Sequence, residues 1–334
     1  MKTFACAIGM TFIAVMGLSQ DAHAYLAFTT TRAGQSRALK WPQRPVRWFA
    51  ADRGAPGVSV PEFQAAMARA FATWEAVPTA AITFQFAGFT SAEPFDDDNV
   101  SVLGFEDHPE MDRVLGATGF LIDTLTGEIV ESDIFFNSAF PWSTAAQGDP
   151  ARFDLESVAV HEIGHFLGLG HSALGETELR PEGGRRVLGS GSVMFPIAFG
   201  RGITHDRELQ PDDVAGVSDL YPEAGFRART GVVRGRVTRN GSGLLGAHVT
   251  AFNPQTGVLI GSFTLNTDGE FGIRGLAPGP YVIRVEPLDD VDVESFFSGS
   301  GAVDLGFLVT FHDRLVIAPE GGEGERLTVA VRPK

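Results

Sequence analysis

Cysteine is almost absent from this chain of 334 residues, in which Cys6 is the only one. Cys6 lies in an N-terminal segment that we predict to be removed during export, so the mature protein would contain no cysteine. This excludes disulfide bonds, thiolate metal sites and cysteine nucleophiles. Any catalytic chemistry must therefore rest on other side chains.

The N-terminus lacks an apolar run long enough to anchor the chain in a membrane. The run from Phe4 to Leu18 is shorter than the roughly 20 residues that a spanning helix needs. Lys2 precedes this run and Ala22-His23-Ala24 follows it as a small-x-small cleavage site, which is the pattern of a secretory signal peptide. We predict a signal peptide over residues 1–24 and an exported mature chain, extracellular or in the periplasm or cell envelope, without a stable membrane anchor. A retained signal anchor is the alternative.

Positive charge is also scarce. The 26 lysines and arginines are outnumbered by 41 aspartates and glutamates, which gives a net charge of -15 at pH 7. So acidic a surface argues against nucleic acid or an anionic membrane as the partner. The length and the 44% hydrophobic content are sufficient for two domains, each with its own core.

Three of the eight histidines fall in one stretch, His161-Glu162-Ile163-Gly164-His165-Phe166-Leu167-Gly168-Leu169-Gly170-His171. The apolar spacing predicts a helix from Ser157 to Leu167, which places the first two histidines, four positions apart, on one face. The two later glycines end this helix, because glycine adopts backbone angles that other residues avoid. The turn can then return the third histidine to the first two as a ligand of the same metal ion.

His161, His165 and His171 would leave one position of a tetrahedral zinc ion open, as in a catalytic rather than a structural site. Glu162 is not needed as a ligand and is free to act as a general base. Zinc lowers the pKa of a bound water to about 7 and polarises a carbonyl group, so such a site suits hydrolysis at neutral pH. The alternative is surface histidines on an ordinary helix, which the spacing of Gly168 and His171 after H-E-x-x-H disfavours.

This stretch resembles the signature of the metzincin metalloproteases, H-E-x-x-H-x-x-G-x-x-H followed by a methionine turn. Ser192-Val193-Met194-Phe195-Pro196 is similar to that turn, and the resemblance implies that Met194 forms the floor beneath the metal. Within the metzincins, the chain most resembles the matrixins, the matrix-metalloprotease family. Ser172 after the third histidine and a closing helix at Leu209 to Pro222 carry this closer resemblance.

The matrixin resemblance covers Leu39 to Pro222 and implies an α+β protease domain over residues 25–222. Such a domain contains a twisted mixed sheet, an active-site helix and a closing helix. Periodicity predicts a further helix at Pro61–Val77, whose aromatic stripe we assign to the core. Predicted strands lie at Trp41–Ala51, Ile82–Phe86, Asn99–Phe105, Leu115–Ile122 and Glu128–Phe136.

The resemblance also implies a polypeptide substrate and some of the residues that bind it. In matrixins, the strand that corresponds to Leu115, Gly116 and Ala117 forms the upper rim of the cleft. We expect its free backbone groups to pair with an extended substrate as an added strand. Ser157 and Pro196 are expected to line the pocket for the side chain after the scissile bond, and the small Ser157 implies a roomy, apolar-accepting pocket.

The sequence departs from animal matrixins in three places. It has no propeptide cysteine to hold the enzyme latent, so we expect activity once the chain is folded and metallated, or control from outside the chain. The segment that holds a second, structural zinc in animal matrixins offers only His108. Leu174 to Gly191 is an inserted loop close to the zinc, which either shapes the substrate site or is a tolerated surface insertion.

Calcium is a second candidate cofactor. Asp96-Asp97-Asp98 and the group Glu128, Glu131 and Asp133 offer the hard oxygen ligands that Ca²⁺ prefers. The alternative, solvated charges in a loop and at strand edges, is favoured.

After a predicted linker at residues 223–230, the sequence changes to short alternating segments separated by glycine-rich turns. Residues 231–334 are predicted to form a small antiparallel β-sandwich. Val232 to Val285 resembles the carboxypeptidase-regulatory-like modules, through motifs such as Thr267-Asp268-Gly269-Glu270-Phe271. Such a module either binds substrate or a cell surface, or is a passive domain that stabilises or spaces the enzyme. Predicted strands are Val232–Val237, Gly246–Phe252, Val258–Thr264, Gly269–Ile273, Tyr281–Val285 and Leu327–Val331.

Together these features predict a secreted zinc-dependent endopeptidase that uses a glutamate general base. The alternative is an exported binding or adhesion protein built on an inactive or single-substrate metzincin scaffold. The presence of Glu162 argues against that alternative, since a scaffold needs the ligands but not the base.

Overall fold

The structure is a computed structural model that describes residues 2–7, 27–32, 35–181, 184–289, 291–297 and 303–334. Most of the predicted signal peptide, including its cleavage site, lies outside these residues. No helix in the described part of the chain is long and apolar enough to cross a membrane.

Within the described residues, the N-terminal part combines one large sheet with four α-helices. In chain order its elements are β1 (Lys2–Ala7), β2 (Thr29–Arg32), β3 (Gln35–Ala38), β4 (Val46–Ala51), α1 (Val60–Glu75), β5 (Phe84–Thr90), β6 (Val102–Glu106), β7 (Gly116–Asp123), β8 (Glu128–Asn137), β9 (Trp142–Ser143), β10 (Phe153–Asp154), α2 (Leu155–Phe166), β11 (Gly175–Leu179), β12 (Arg185–Ser190), α3 (Pro211–Leu220) and α4 (Phe226–Arg229). The predicted α+β class is confirmed, and the three predicted helices are α1, α2 and α3.

The large sheet has the strand order β1-β7-β8-β6-β4-β5. Strands β5, β4, β6 and β8 are mutually parallel, whereas β7 runs antiparallel to β8. β1 pairs with the outer edge of β7, from Lys2 opposite Asp123 to Ala7 opposite Thr118. The edge that we expected to be free is therefore partly covered by residues 2–7, which belong to the predicted signal peptide.

Helix α1 packs its apolar stripe between the sheet and α2. Ser59 and Glu62 form a reciprocal capping box at its start, which satisfies backbone donors that a helix leaves unpaired. Phe63, Met67 and Trp74 are fully buried, as the sequence predicted. The Trp74 indole also donates a 2.9 Å hydrogen bond to the carbonyl of Val160 in α2. This contact fixes α2, the helix of the histidine motif, against the core.

The C-terminal part is a β-sandwich. Its strands are β13 (Gly231–Arg239), β14 (Ser242–Gly243), β15 (His248–Phe252), β16 (Leu259–Phe263), β17 (Glu270–Leu276), β18 (Gly279–Glu286), β19 (Thr310–Phe311), β20 (Val316–Ala318) and β21 (Leu327–Val331). One sheet is β14-β13-β17, with β21 beside β13, and the other is β16-β15-β18-β19, with β20 beside β18. The pairings are antiparallel, as predicted, except that β21 runs parallel to β13.

The two parts pack directly on each other. The segment predicted as a linker contains α4, whose Phe226 is buried. A Cβ atom on Gly275 of β17 would lie 3.2 Å from the Cβ of Ala215 in α3, which shows how closely the sandwich approaches the closing helix. The Gly261 amide of β16 donates a 2.8 Å hydrogen bond to Asp212, also in α3. Helix α3 therefore lies at the junction of the two parts.

Candidate metal centre

Helix α2 presents the first two histidines on one face. Asp154 caps the helix by accepting a 2.9 Å hydrogen bond from the Ser157 amide, so the helix begins at Leu155, directly after the cap. His161 donates from Nδ1 to the Val193 carbonyl at 2.7 Å, and His165 donates from Nδ1 to the Leu169 carbonyl at 2.8 Å. Both Nε2 atoms are thereby left to face a metal.

The turn after α2 brings the third histidine to the first two. Gly168 adopts a φ of +98°, and a Cβ atom there would lie 2.3 Å from the Leu39 carbonyl, so only glycine fits this position without strain. His171 then lies with its Nε2 atom 3.2 Å from that of His165. One nitrogen from each of His161, His165 and His171 lies within 4.8 Å of the others.

The donor set fits a zinc ion. His171 donates from Nδ1 to the Ser295 carbonyl at 2.9 Å, so all three rings hold a backbone acceptor on Nδ1 and offer Nε2. Desolvation lowers the pKa of His161 and His165, and it lowers the pKa of His171 to about 3. Neutral imidazole is the form that binds a metal, and three such nitrogens suit a zinc site with an open position.

Glu162 lies beside the triad in a buried position, with 5% of its surface exposed. The Thr118 hydroxyl of β7 donates to its Oε2 atom at 2.7 Å. Burial raises the pKa of Glu162 to about 7, against the opposing effect of the Thr118 hydrogen bond. A carboxyl group with such a pKa can both accept and donate a proton near neutral pH. Thr118 was not singled out by the sequence, since a threonine in a strand carries no distinctive signal.

Met194 packs against α2, and its role as the floor beneath the metal stays a prediction. Met194 is 2% exposed, and a Cβ atom on Gly164 would lie 2.2 Å from its sulfur, so glycine allows the close approach. Asp213 of α3 holds the turn that carries Met194. Its carboxylate accepts hydrogen bonds from Ser192 Oγ at 2.5 Å, Val193 N at 3.0 Å, Met194 N at 3.4 Å and Gln210 N at 2.8 Å. The sequence analysis missed this role, although Asp213 stands at the third position of the closing helix.

The expected substrate-binding residues are distributed along the site. Gly116 is the first residue of β7 and lies next to Glu162. A Cβ atom on Gly116 would be 3.4 Å from Glu162 Oε1. Ala117 follows on the same strand, and the Leu115 carbonyl accepts from the Asn137 amide at 2.9 Å. The β1 pairing ends at Thr118, so within the described residues it does not extend to Gly116 or Ala117.

The two expected pocket residues differ in their surroundings. The Ser157 hydroxyl donates to Asp154 at 2.7 Å, and Arg207 donates to the same carboxylate at 2.9 Å. Ser157 therefore takes part in the N-cap network of α2. Pro196 is half-buried directly after the methionine turn. A role for either residue in substrate binding stays a prediction.

The insertion after the third histidine contains an antiparallel hairpin. Strand β11 (Gly175–Leu179) pairs with β12 (Arg185–Ser190), where the sequence predicted only a loop. Val187 of β12 packs in an apolar cluster with Phe195 and with Phe263 and Phe296 of the C-terminal part. Arg185 also lies 3.9 Å from Asp292. The insertion thus contacts both parts of the chain beside the metal centre.

Two of the acidic residues considered for calcium are more buried than expected, whereas Asp96-Asp97-Asp98 is exposed, as expected. Glu131 and Asp133 are 1% and 2% exposed, which differs from the expectation of solvated charges. Asp133 accepts from the amides of Phe95 and Val102, both at 2.8 Å, and burial raises its pKa to about 8. Burial also raises the pKa of Glu131 to about 7. Calcium binding stays a prediction.

His108 has acidic neighbours. Its ring nitrogens lie 2.7 Å from Glu106 Oε2 and 3.0 Å from Glu110 Oε1. The hydrogen bond with Glu106 is the main cause of a raised His108 pKa. Among the described residues, the histidine triad is the one group of three or more candidate ligands close enough to share a metal.

Asp212 gives a testable pH dependence to the junction of the two parts. Its carboxyl group accepts from Ser172 Oγ at 2.7 Å and from the Gly261 amide at 2.8 Å, and burial raises its pKa from 3.8 to about 7. Between these values the folded chain binds a proton that the unfolded chain does not, so this group's contribution to stability falls as the pH rises from about 4 to about 7.

Asp212→Asn should remove that part of the pH dependence, since the amide does not titrate. In urea unfolding of the metal-free chain, the variant should gain stability relative to wild type as the pH rises, on the order of 1 kcal/mol or more. Asp313→Asn is the control, because the Asp313 side chain is 92% exposed. An unchanged difference between Asp212→Asn and wild type at every pH would contradict the expectation.

Both parts of the chain match known protein families. The family model for matrixin matches residues 40–182, and that for the carboxypeptidase regulatory-like domain matches residues 232–289. The first match ends within the β11–β12 hairpin, so the methionine turn and the closing helix lie beyond it.

Curated relatives match the N-terminal part. Metalloendoproteinase 1 of Glycine max is 32% identical over 166 residues, which is 48% of this chain and 45% of that protein. Metalloendoproteinase 2-MMP of Arabidopsis thaliana is 33% identical over 175 residues, 48% of this chain and 37% of that protein. Matrix metalloproteinase-16 of Homo sapiens is 31% identical over 136 residues, 40% of this chain and 22% of that protein.

The chain thus spans less than half the length of these relatives. The family matches nevertheless agree with the fold and with the order of the two parts. Residues 40–182 are thus similar to the matrixin family, and residues 232–289 are similar to the carboxypeptidase regulatory-like domain.

Proposed function

We propose that this chain is an exported zinc-dependent endopeptidase that hydrolyses peptide bonds in extended polypeptides. The observation that carries the proposal is the convergence of three Nε2 atoms whose rings are each held by a backbone carbonyl on Nδ1. The buried Glu162 beside them adds the base that hydrolysis needs. The family match supports the same class of activity.

His161, His165 and His171 would hold the zinc ion. When bound there, zinc would supply the positive charge that polarises the scissile carbonyl and acidifies water. The histidines bind as neutral rings, since desolvation lowers the pKa of each. The Nδ1 hydrogen bonds set the tautomer that leaves Nε2 free for the metal.

Glu162 would move the proton. Its carboxylate takes a proton from the attacking water and passes it to the nitrogen of the leaving amine. Thr118 orients the carboxylate through the 2.7 Å hydrogen bond to Oε2.

The start of β7 would position the substrate. Gly116 and Ala117 lie at the edge of the sheet beside Glu162, and the antiparallel pairing of β1 with the next residues of this edge supports the same role for them. A peptide added in the same way would present its carbonyl groups along the site. Export by the predicted signal peptide would also remove β1 from that edge.

The test is hydrolysis of unfolded casein by the chain from Tyr25 to Lys334, with bound zinc measured in parallel. We expect the chain to cleave casein. Chelation of the zinc should lower the hydrolysis rate by about 10²-fold or more, and added zinc should restore it. A magnesium addition in place of zinc serves as the control. Cleavage that persists after the zinc has been removed would contradict the proposal, and a zinc-loaded chain that never cleaves would favour the binding-protein alternative.

A further inference from the structure

The third ligand of the candidate metal centre depends on the C-terminal part of the chain. Val193 and Leu169, whose carbonyls accept from His161 and His165, belong to the same part as the histidines. The acceptor for His171 is the carbonyl of Ser295, which lies 124 positions further along the chain. The C-terminal part therefore reaches the histidine triad itself, through a residue that lies just beyond the carboxypeptidase regulatory-like match at residues 232–289.

Ser295 lies in a short ordered segment, residues 291–297, which we call the capping segment. It contains a 3₁₀ turn at Val293–Ser295. The Ser295 amide donates to Asp292 O at 2.9 Å, and the amides of Phe296 and Phe297 both donate to Val293 O at 3.0 Å. These bonds fix the direction in which the Ser295 carbonyl points.

Apolar packing anchors the capping segment over the site. Phe296 is 3% exposed, and its ring centre lies 5.2 Å from that of Phe263 in β16 and 6.1 Å from that of His171. The same cluster includes Ala173 and Phe195, which are close in sequence to His171 and Met194. Ser295 and His171 are both partly buried, and the buried ring of Phe296 holds the adjoining Ser295 carbonyl against the histidine.

His171 has particular need of such an acceptor. His161 and His165 are held by their helix, whereas His171 follows a glycine turn and belongs to no helix or strand. A histidine in a turn can rotate its ring and can carry its proton on either nitrogen. A fixed carbonyl opposite Nδ1 selects one tautomer and one ring orientation.

We propose that the capping segment is a positioning element of the metal centre: its Ser295 carbonyl holds His171 with Nε2 directed at the metal. The proposal rests on the proposed zinc site. It gives the C-terminal part a role in the centre itself, beyond the spacing or surface binding considered from sequence. Loss of such an outer hydrogen bond typically weakens metal binding by roughly 10–100-fold.

The carbonyl can be tested with little change in shape. Phenyllactic acid in place of Phe296 keeps the ring but converts the preceding amide into an ester, which makes the Ser295 carbonyl a weaker acceptor. It also removes the Phe296 N–H that donates to Val293 O. Phenyllactic acid in place of Phe297 is the matched control, because it removes an equivalent 3.0 Å bond to Val293 O and leaves the Ser295 carbonyl an amide.

Zinc affinity would be measured by competition with a chromophoric chelator, and ligand geometry from the visible absorption of the cobalt-loaded protein. We expect the ester at 296 to weaken zinc binding about tenfold and to change the cobalt spectrum, and the ester at 297 to do neither. Equal zinc affinity and equal cobalt spectra for the two esters would overturn the proposal. A wild-type chain that binds no zinc would overturn the metal centre as a whole, so the two failures are distinguishable.

A second pair of variants removes side chains instead. Phe296→Ala removes a ring that contacts both Phe263 and His171, whereas Phe297→Ala removes one whose ring contact is with Phe263. We expect Phe296→Ala to bind zinc more weakly than Phe297→Ala when both are folded. The reverse order, or equal affinities, would contradict positioning by the capping segment.

Discussion

Glu162→Gln is expected to abolish peptide hydrolysis while the zinc stays bound. The amide has nearly the shape of the carboxylate but cannot accept a proton from water, and loss of a general base lowers the rate on the order of 10² to 10⁴-fold. The histidines and their Nδ1 acceptors are untouched by the substitution. Casein hydrolysis and zinc content, measured on the same samples, check the expectation.

Glu156→Gln is the matched control for that experiment. Glu156 is a second buried glutamate in α2, but it pairs with Arg69 at 2.7 Å rather than facing the histidine triad. The same chemical change there should leave hydrolysis close to the wild-type rate. If Glu162→Gln cleaves casein as fast as Glu156→Gln, Glu162 is not the base.

Of the substitutions proposed for this chain, Asp213→Ala is expected to lower the free energy of unfolding the most. The carboxylate accepts four hydrogen bonds, from Ser192, Val193, Met194 and Gln210, and it is 2% exposed. Alanine would leave these buried donors without their acceptor, at a cost of roughly 3 kcal/mol or more in the free energy of unfolding. Urea unfolding of the metal-free chain measures this loss.

The same substitution should also weaken zinc binding. Asp213 holds the Val193 amide, and the carbonyl of Val193 is the acceptor for His161. Asp213→Asn is the graded control, because its amide oxygen can still accept some of the four hydrogen bonds and it should lose less stability than alanine. Unfolding of Asp213→Ala at the wild-type urea concentration would contradict the assigned role.

The histidine centre was predictable because its information is local. His161, His165 and Glu162 share one helix turn, and Gly168 and His171 follow at fixed spacing, so the pattern of residue types determines the geometry. The predicted helix, Ser157 to Leu167, is close to the observed α2, Leu155–Phe166, for the same reason. A capping aspartate and an apolar stripe, both local features, define its bounds. Family resemblance added Met194, which periodicity alone would have assigned to the core.

Other contacts were not predictable because they join distant parts of the chain. Ser295 acts through a backbone carbonyl, which every residue possesses, so no residue type marks it. The hairpin in the insertion and the parallel pairing of β21 with β13 depend on tertiary packing. Glu131 and Asp133 were taken as solvated charges because the sequence does not show contacts such as those of Asp133 with Phe95 and Val102, more than 30 positions away.

The zinc site is the central claim, and X-ray absorption of the zinc-loaded chain tests it most directly. We expect one zinc ion per chain, with three imidazole nitrogens at about 2.0–2.1 Å and one oxygen ligand, and a loss of the bound zinc in His165→Ala. A chain that retains no zinc, or a spectrum that lacks three imidazole ligands, would contradict the account.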